Sequence, residues 1–145
     1  PQLKARMEIA RRASEVKQET SKCAKQAIDI FDILKNKIGF QTKEHFVVLS
    51  FDVRHKYLGM DIIAVGILTA NIIHPRETFE AAIRRHAAYI IVSHNHPSGD
   101  CTPSDEDLEI TKRLVESGKV LGIQMMDHVI VSRDSYLSFA NEGLV

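Results

Sequence analysis

Cysteine is scarce in this 145-residue chain: there are two, Cys23 and Cys101, far apart and in no CxxC arrangement. That excludes a disulfide framework and makes a reducing cytoplasm the expected compartment. Charge of one sign is missing as well, since 19 Lys and Arg balance 19 Asp and Glu. No bulk attraction to nucleic acid or to an anionic membrane follows from such a balance. The local positive spots Arg11-Arg12 and Arg84-Arg85-His86 read as solvated helix faces. No apolar run approaches the ~20 residues of a membrane span. The opening PQLKARMEIARR has no apolar signal-peptide core. It also lacks an initiator Met, which predicts a processed protein or part of a longer one. Internal repeats and low-complexity segments are absent. What is present, 44% hydrophobic and 26% charged residues, is the composition of a globular domain with one core.

Hydrophobic spacing orders the elements. Residues 2–18 predict a polar amphipathic helix with Leu3, Met7, Ala10 and Ala13 on one stripe. It has little apolar surface to bury, so residues 1–22 read as a helical linker and 23–145 as the domain. Thr20 or Ser21 can cap a second helix, in which Ile28, Phe31 and Ile38 keep helical spacing and Gly39 offers a stop. EHFVVLSFD (44–52) and YLGMDIIAVGIL (57–68) predict a hairpin. Both are nearly continuous in apolar character, as strands covered on two faces are. HPRETFEAAIRRHAA (74–88) predicts a helix with Pro75 in its first position and Phe79, Ala82, Ile83 and His86 on one face. YIIVS (89–93) is a short buried strand, and a further helix covers about 103–117, ending near Gly118. Residues 122–134 and 135–139 predict two more strands with a turn at Arg133-Asp134. The fold class is therefore α/β, a mixed β-sheet flanked by helices. Ligand sites in such sheets favour the C-terminal ends of strands, where His94 falls.

At that point stands VSHNHPSGDCTPSDED (92–107). His94 and His96 are two apart, so an extended backbone turns both imidazoles to one side and Asn95 to the other. Pro97 and Ser98-Gly99-Asp100 end the strand. The helix that follows has two registers. With Ser104 as N-cap, Asp107 at N3 is drawn into a capping box. With Thr102 as N-cap, Pro103 falls at N1, where its missing N–H costs nothing, and Asp107 stays free. The second register accounts for the proline. Two histidines and one carboxylate form a mononuclear zinc pattern, with three protein ligands and one open position. Zinc held this way makes water acidic near pH 7 and polarises a substrate carbonyl, and a general base, usually Glu, is then needed. Asp127-His128 reads either as a satisfied pair within a strand or as a partner orienting a metal-binding imidazole. Cys101, inside the motif loop, has a thiolate in reach of the metal but is superfluous beside three other ligands. His45 and His74 read as structural, and Met125-Met126 as core filler.

HNHPSGDCTPSDED resembles the JAMM motif of the JAB/MPN metalloprotease superfamily: His-x-His-Pro, six residues, then Ser-x-x-Asp. More closely, EHFVVLSFD, IIHPRETFEAAIRRHAAYIIVSHNHPSGDCTPSDED, MMDHVIV and SYLSF resemble the bacterial RadC family over about residues 24–145. The resemblance implies a cytidine-deaminase-like α/β sandwich, one zinc per chain held by His94, His96 and Asp107, and Ser104 as a hydroxyl steadying the oxyanion. It also implies Glu44 as the base that takes the attacking water's proton; spacing alone does not choose Glu44 over Glu77 or Glu80. Deaminase chemistry does not follow, because His-x-Glu with Pro-Cys-x-x-Cys is missing. The leading expectation is a zinc metallohydrolase cleaving a peptide or isopeptide bond of an unknown protein substrate. Two rivals stand beside it. One is a DNA-repair or recombination module whose zinc is not proteolytic, touching nucleic acid through a preceding helix-hairpin-helix region. The other is a metal-dependent phosphodiesterase.

Overall fold

The computed structural model describes residues 2–20 and 26–145, and in its first helix the side chains of residues 2–12. Helix α1 (Gln2–Thr20) is followed by α2 (Ala27–Leu34), β1 (His45–Phe51), β2 (Tyr57–Val65), α3 (Pro75–Arg84), β3 (Tyr89–Asn95), α4 (Asp105–Leu121), β4 (Gln124–Val131) and β5 (Tyr136–Ser138). The strands form one five-stranded sheet in the order β2-β1-β3-β4-β5. Pairing is antiparallel except between β3 and β4, which run parallel with α4 as their crossover. This is the expected mixed α/β sheet with the expected β1–β2 hairpin. None of the helices among the described residues is long and apolar enough to cross a membrane.

Alternation along the strands sends successive side chains to opposite faces. On one face Phe46, Val48, Ile90 and Val92 pack against Phe79 and Ala82 of α3 and Ile110 and Leu114 of α4. On the other, Val47, Leu49, Phe51, Ile91, Val129 and Val131 receive Ile30, Ile33 and Leu34 of α2. Helices on both sides explain why β1 and β3 are apolar almost without break. The strand β2 departs from that expectation. It is one of the sheet's two edge strands, and Ile62 and Val65 are more than half exposed.

Several boundaries differ from the sequence pattern. Thr20 ends α1, while Ser21, Cys23 and the 22/23 domain boundary lie outside the described residues. The helix α2 starts at Ala27, where Asp29 Oδ2 accepts the Gln26 N–H at 2.9 Å, and it ends at Leu34, before Gly39. Leu3 and Met7 of α1 remain exposed. In α3 the N-cap is His74, as the Pro75 position requires, but the buried face is Thr78, Phe79, Ala81 and Ala82, and Ile83 stays exposed. The helix α4 runs past Gly118 to Leu121 and stops at Gly122, whose φ of 72° is left-handed. Gly118 has a packing role instead: a Cβ there would lie 2.5 Å from Ile123 O.

Candidate metal centre

The sheet register places the donors. Phe46 of β1 pairs with His94 of β3, so Glu44, two residues before Phe46, starts on the sheet face that His94 occupies. His94 is the last but one residue of β3 and His96 the first beyond it, with the His96 N–H donating to Val131 O at 2.9 Å. Both rings turn to the α4 side, and their Nε2 atoms approach to 3.0 Å. Asn95 points the other way, as alternation requires. Its Oδ1 accepts the His45 N–H at 2.7 Å and its Nδ2 donates to Lys43 O at 3.0 Å, which pins the β1 entry beside β3.

The Thr102 register of α4 is not the one adopted. Ser104 is the N-cap: its Oγ accepts the Asp107 N–H at 3.1 Å, and Asp107 Oδ2 accepts the Ser104 N–H at 2.8 Å. Thr102 turns to the loop instead, its N–H and hydroxyl both donating to Asp100 Oδ1, at 2.9 and 2.7 Å. Pro103 therefore sits just before the cap. The capping box does not remove Asp107 from the cluster, since a carboxylate has about four acceptor positions and the box uses one. Its Oδ1 lies 3.2 Å from His94 Nε2 and its Oδ2 3.5 Å from His96 Nε2.

Among the described residues His94, His96 and Asp107 form the one group of three or more metal-donor side chains, with ligand atoms within 4.8 Å of one another. Chemistry supports a cation at their centre. His96 Nδ1 is 2.7 Å from Asp100 O, a carbonyl that can only accept, so the ring hydrogen sits on Nδ1 and the lone pair of Nε2 faces inward. Gly99, with φ of 89°, makes the turn that brings Asp100 back to this position. Lone pairs and a carboxylate gathered at 3.0–3.5 Å repel unless a positive charge lies among them. Without metal a proton fills that place. The Asp107 carboxylate raises His96 above the ordinary imidazole value. Burial would push the Asp107 carboxyl up, but the facing His94 and His96 rings and the Ser104 N–H outweigh it and hold the carboxyl well below the usual range. The donor set fits a divalent cation taking nitrogen and oxygen ligands.

The cluster opens on one side into a cleft of about 450 Å³ lined by Glu44, His96, Ser104, Glu106 and Asp107, with Leu68 on its wall. Glu77 and Glu80 stand exposed on α3 and outside this cleft. Glu106 was not singled out by the sequence; its Oε2 accepts the Ala70 N–H at 3.0 Å, which holds the loop after β2 against α4. A larger hollow of about 780 Å³ lies on the opposite, α2 face. Its histidine and its carboxylate are already engaged, His55 with the Tyr89 hydroxyl at 2.8 Å and Asp127 with Ser138 Oγ at 2.6 Å and Ala140 N at 2.9 Å. The smaller cleft, holding the metal donors, is therefore the candidate site.

Behind the cluster lies His128, fully buried, its Nε2 2.8 Å from His94 Nδ1. Burial drives its basicity well below the ordinary imidazole value. Of the two readings of Asp127-His128, the pair divides: Asp127 faces the α2 side and braces the chain after β5, while His128 touches a metal-donor ring. Cys101 Sγ lies by Ser135, 3.7 Å from its carbonyl oxygen and 3.5 Å from its hydroxyl, and is not one of the three clustered donors. His45 Nδ1 lies 2.9 Å from Lys43 O, in keeping with a structural role.

Comparison with known proteins agrees with this geometry. The family model described as RadC-like JAB domain matches residues 24–144. The chain is 43% identical over 141 residues to the UPF0758 protein TTE0897 of Caldanaerobacter subterraneus subsp. tengcongensis, covering 97% of this chain and 60% of that protein. It is 38% identical over 144 residues to a UPF0758 protein of Desulforamulus reducens, and 39% identical over 144 residues to one of Methanosarcina mazei. Each of these two alignments covers 99% of this chain and 63% of the relative. The chain thus spans about three-fifths of the length of the curated relatives it matches. With the motif, the sheet order and the family match in agreement, the chain belongs to the RadC-like JAB domain family.

Proposed function

We propose that the domain is a zinc-dependent hydrolase of amide bonds, cutting a peptide or isopeptide linkage with one zinc per chain. The observation that carries this reading is the convergence of His94, His96 and Asp107 at the head of a cleft that also contains Glu44 and Ser104. Three protein donors with one open side are the arrangement of catalytic zinc, whereas structural zinc usually has four protein ligands. Zinc in that cluster supplies a Lewis acid that polarises the scissile carbonyl and lowers the pKa of water toward 7.

The remaining roles belong to the chain. Glu44 sits close enough to His96 for its charge to contribute to that ring's raised proton affinity. Its carboxylate takes the proton of the attacking water and, once protonated, returns it to the departing amine. Ser104 Oγ already accepts the Asp107 N–H, so its own hydroxyl hydrogen is left for a substrate oxygen. There it steadies the negative charge that develops on the carbonyl. The free thiol of Cys101 suits a reducing compartment such as the cytoplasm.

Metal analysis after equilibration with zinc, and a peptide library digested by wild type and Glu44→Gln, test this reading. The variant is expected to keep one zinc and lose cleavage by roughly 10²–10⁴-fold. Equal cleavage by both forms removes Glu44 from its role, and a wild type that holds no zinc removes the reading itself.

A further inference from the structure

Two of the metal donors sit on different elements, His94 near the end of β3 and Asp107 in the first turn of α4. A run of hydrogen bonds joins them behind the cluster. Thr111 Oγ1 lies 2.7 Å from Asp107 O and 2.6 Å from His128 Nδ1, and His128 Nε2 lies 2.8 Å from His94 Nδ1. All four residues are buried. Phe139 stacks on His128 with ring centroids 4.5 Å apart, and Phe46 meets the same ring edge-on at 5.7 Å.

The direction of these bonds is fixed from one end. A carbonyl oxygen has no proton, so the Thr111 hydroxyl hydrogen points to Asp107 O. Thr111 has no second hydrogen on Oγ1, so the contact with His128 is made by the Nδ1–H of His128. A neutral His128 then has a bare Nε2, and the 2.8 Å contact is made by the Nδ1–H of His94. A second proton on His128 would bury a cation beside the metal's own charge, which the low-dielectric interior opposes. With its hydrogen held on Nδ1, His94 has its Nε2 lone pair directed at Asp107 and His96.

We infer that His128 and Thr111 are positioning residues, which fix the tautomer and aim of His94 by a directed chain that ends on the backbone of Asp107. The inference rests on the metal reading proposed above. It assigns Thr111 a task that helix packing alone would not give it, and it makes the strand's donor and the helix's donor one unit.

The test uses the 145-residue chain. Thr111→Val keeps the side-chain shape and removes the hydroxyl, and Thr111→Ser restores it. Zinc affinity is read by competition with a chelator, and the histidine ring nitrogens are read by ¹⁵N NMR. In wild type His128 is expected to bear its hydrogen on Nδ1, and His94 to bind zinc through Nε2. Thr111→Val is expected to weaken zinc about 10–100-fold and Thr111→Ser to return it to within a few-fold of wild type. Thermal unfolding of the metal-free variants shows that they fold, and should Thr111→Val fail to, the wild-type nitrogen spectrum decides. Hydrogen on Nε2 of His128, or wild-type zinc affinity in Thr111→Val, overturns the inference alone. A wild type with the hydrogen on Nδ1 of His128 but no affinity for zinc overturns the metal reading and, with it, the metal-directed part of this inference.

Discussion

Replacing Asp107 by Asn separates what the carboxylate contributes to the fold from what it contributes to the metal. The amide keeps nearly the same volume, so packing around this buried side chain is preserved. Its one oxygen can still accept the Ser104 N–H now received at 2.8 Å, and the backbone N–H of residue 107 still donates to Ser104 Oγ, leaving the capping box intact. What disappears is the negative charge 3.2 Å from His94 Nε2 and 3.5 Å from His96 Nε2. In metal-free protein at pH 6, where His96 holds its proton, that is the loss of one charge-assisted contact with His96, about 2 kcal/mol. For a domain of this size about 3–4 °C of Tm accompanies each kcal/mol, so the metal-free variant is expected to melt about 6–8 °C lower. Zinc adds a second difference. At free zinc 100-fold above Kd, wild type gains about 2.7 kcal/mol, or about 8–11 °C, and the variant without its anionic donor gains almost nothing. Thermal unfolding followed by circular dichroism, in chelator at pH 6 and with zinc at pH 7.5, reads both quantities. Equal zinc-induced shifts in the two proteins would refute Asp107 as a ligand, and equal metal-free Tm values would refute the ion-paired cluster.

The pH dependence has two opposed parts. His96 is raised above 6.5, so its contribution in metal-free protein is present below that value and lost as pH climbs through the raised one. Asp107 is held below 3.8, so its contribution is present above that value and lost as pH falls through the depressed one. The stability gap between metal-free wild type and Asp107→Asn should therefore be widest between pH 3.8 and 6.5 and shrink above, and a gap that grows up to pH 8 contradicts the assignment. Zinc needs bare imidazoles, so its Tm increment in wild type should grow from about pH 6 to about pH 8. Gly99→Ala meets no atom within 4 Å but forces a Cβ into φ of 89°. About 1–2 kcal/mol of stability and several-fold of zinc affinity should go as the turn slackens and Asp100 O loses its hold on His96, and an unchanged chelator competition would detach that turn from the site. Arg85 ties α3 to β2 through Asp61 at 2.6 and 3.2 Å and through the carbonyls of Leu58 and Met60. Arg85→Ala should lower stability by about 1 kcal/mol in urea unfolding while leaving zinc affinity at the wild-type value, and a loss of zinc would place that corner within the site's influence.

The parts of this site that sequence made legible are those fixed by local periodicity. His94 and His96 had to share a side because the strand period is two, and Asn95 had to oppose them; Nε2 atoms 3.0 Å apart and the Asn95 bonds to the β1 entry follow from that alone. The sheet class followed from the alternation of strands and helices, with adjacent strand pairs at both ends. The register of α4 was not legible, because Pro103 is compatible with the first helical turn and with the residue before a cap. The structure shows the second: Thr102 turns to Asp100, and Ser104 takes the cap. That register also undid the supposed conflict between capping and metal binding, since one carboxylate serves both. The edge character of β2 was hidden for another reason. Ile62 and Val65 look like core residues in sequence, and the strand order shows them instead on an edge strand, each more than half exposed. Thr111 gave the faintest signal, a hydroxyl four residues after a proposed ligand, and its importance depends on His128 arriving from seventeen residues further along.

These local choices brace each donor through a group other than the metal. His96 is held by Asp100 O, Asp107 by the Ser104 N–H, and His94 by His128, so each donor has one anchor that metal binding need not disturb. Two of those anchors are backbone groups, which move only if the turn at Gly99 or the start of α4 moves with them. The apolar layers on both faces of the sheet hold those elements in place independently of the site. That distinguishes this domain from small metal-dependent folds, whose chains are unfolded without their ion because the ion supplies the folding free energy. Here the sheet and helices stand on buried Phe, Ile, Leu and Val, and the energy released on ligation is not consumed in ordering the chain. A metal bound by pre-aimed donors with one open side keeps its Lewis acidity for a substrate, which is the property the proposed amide hydrolysis requires.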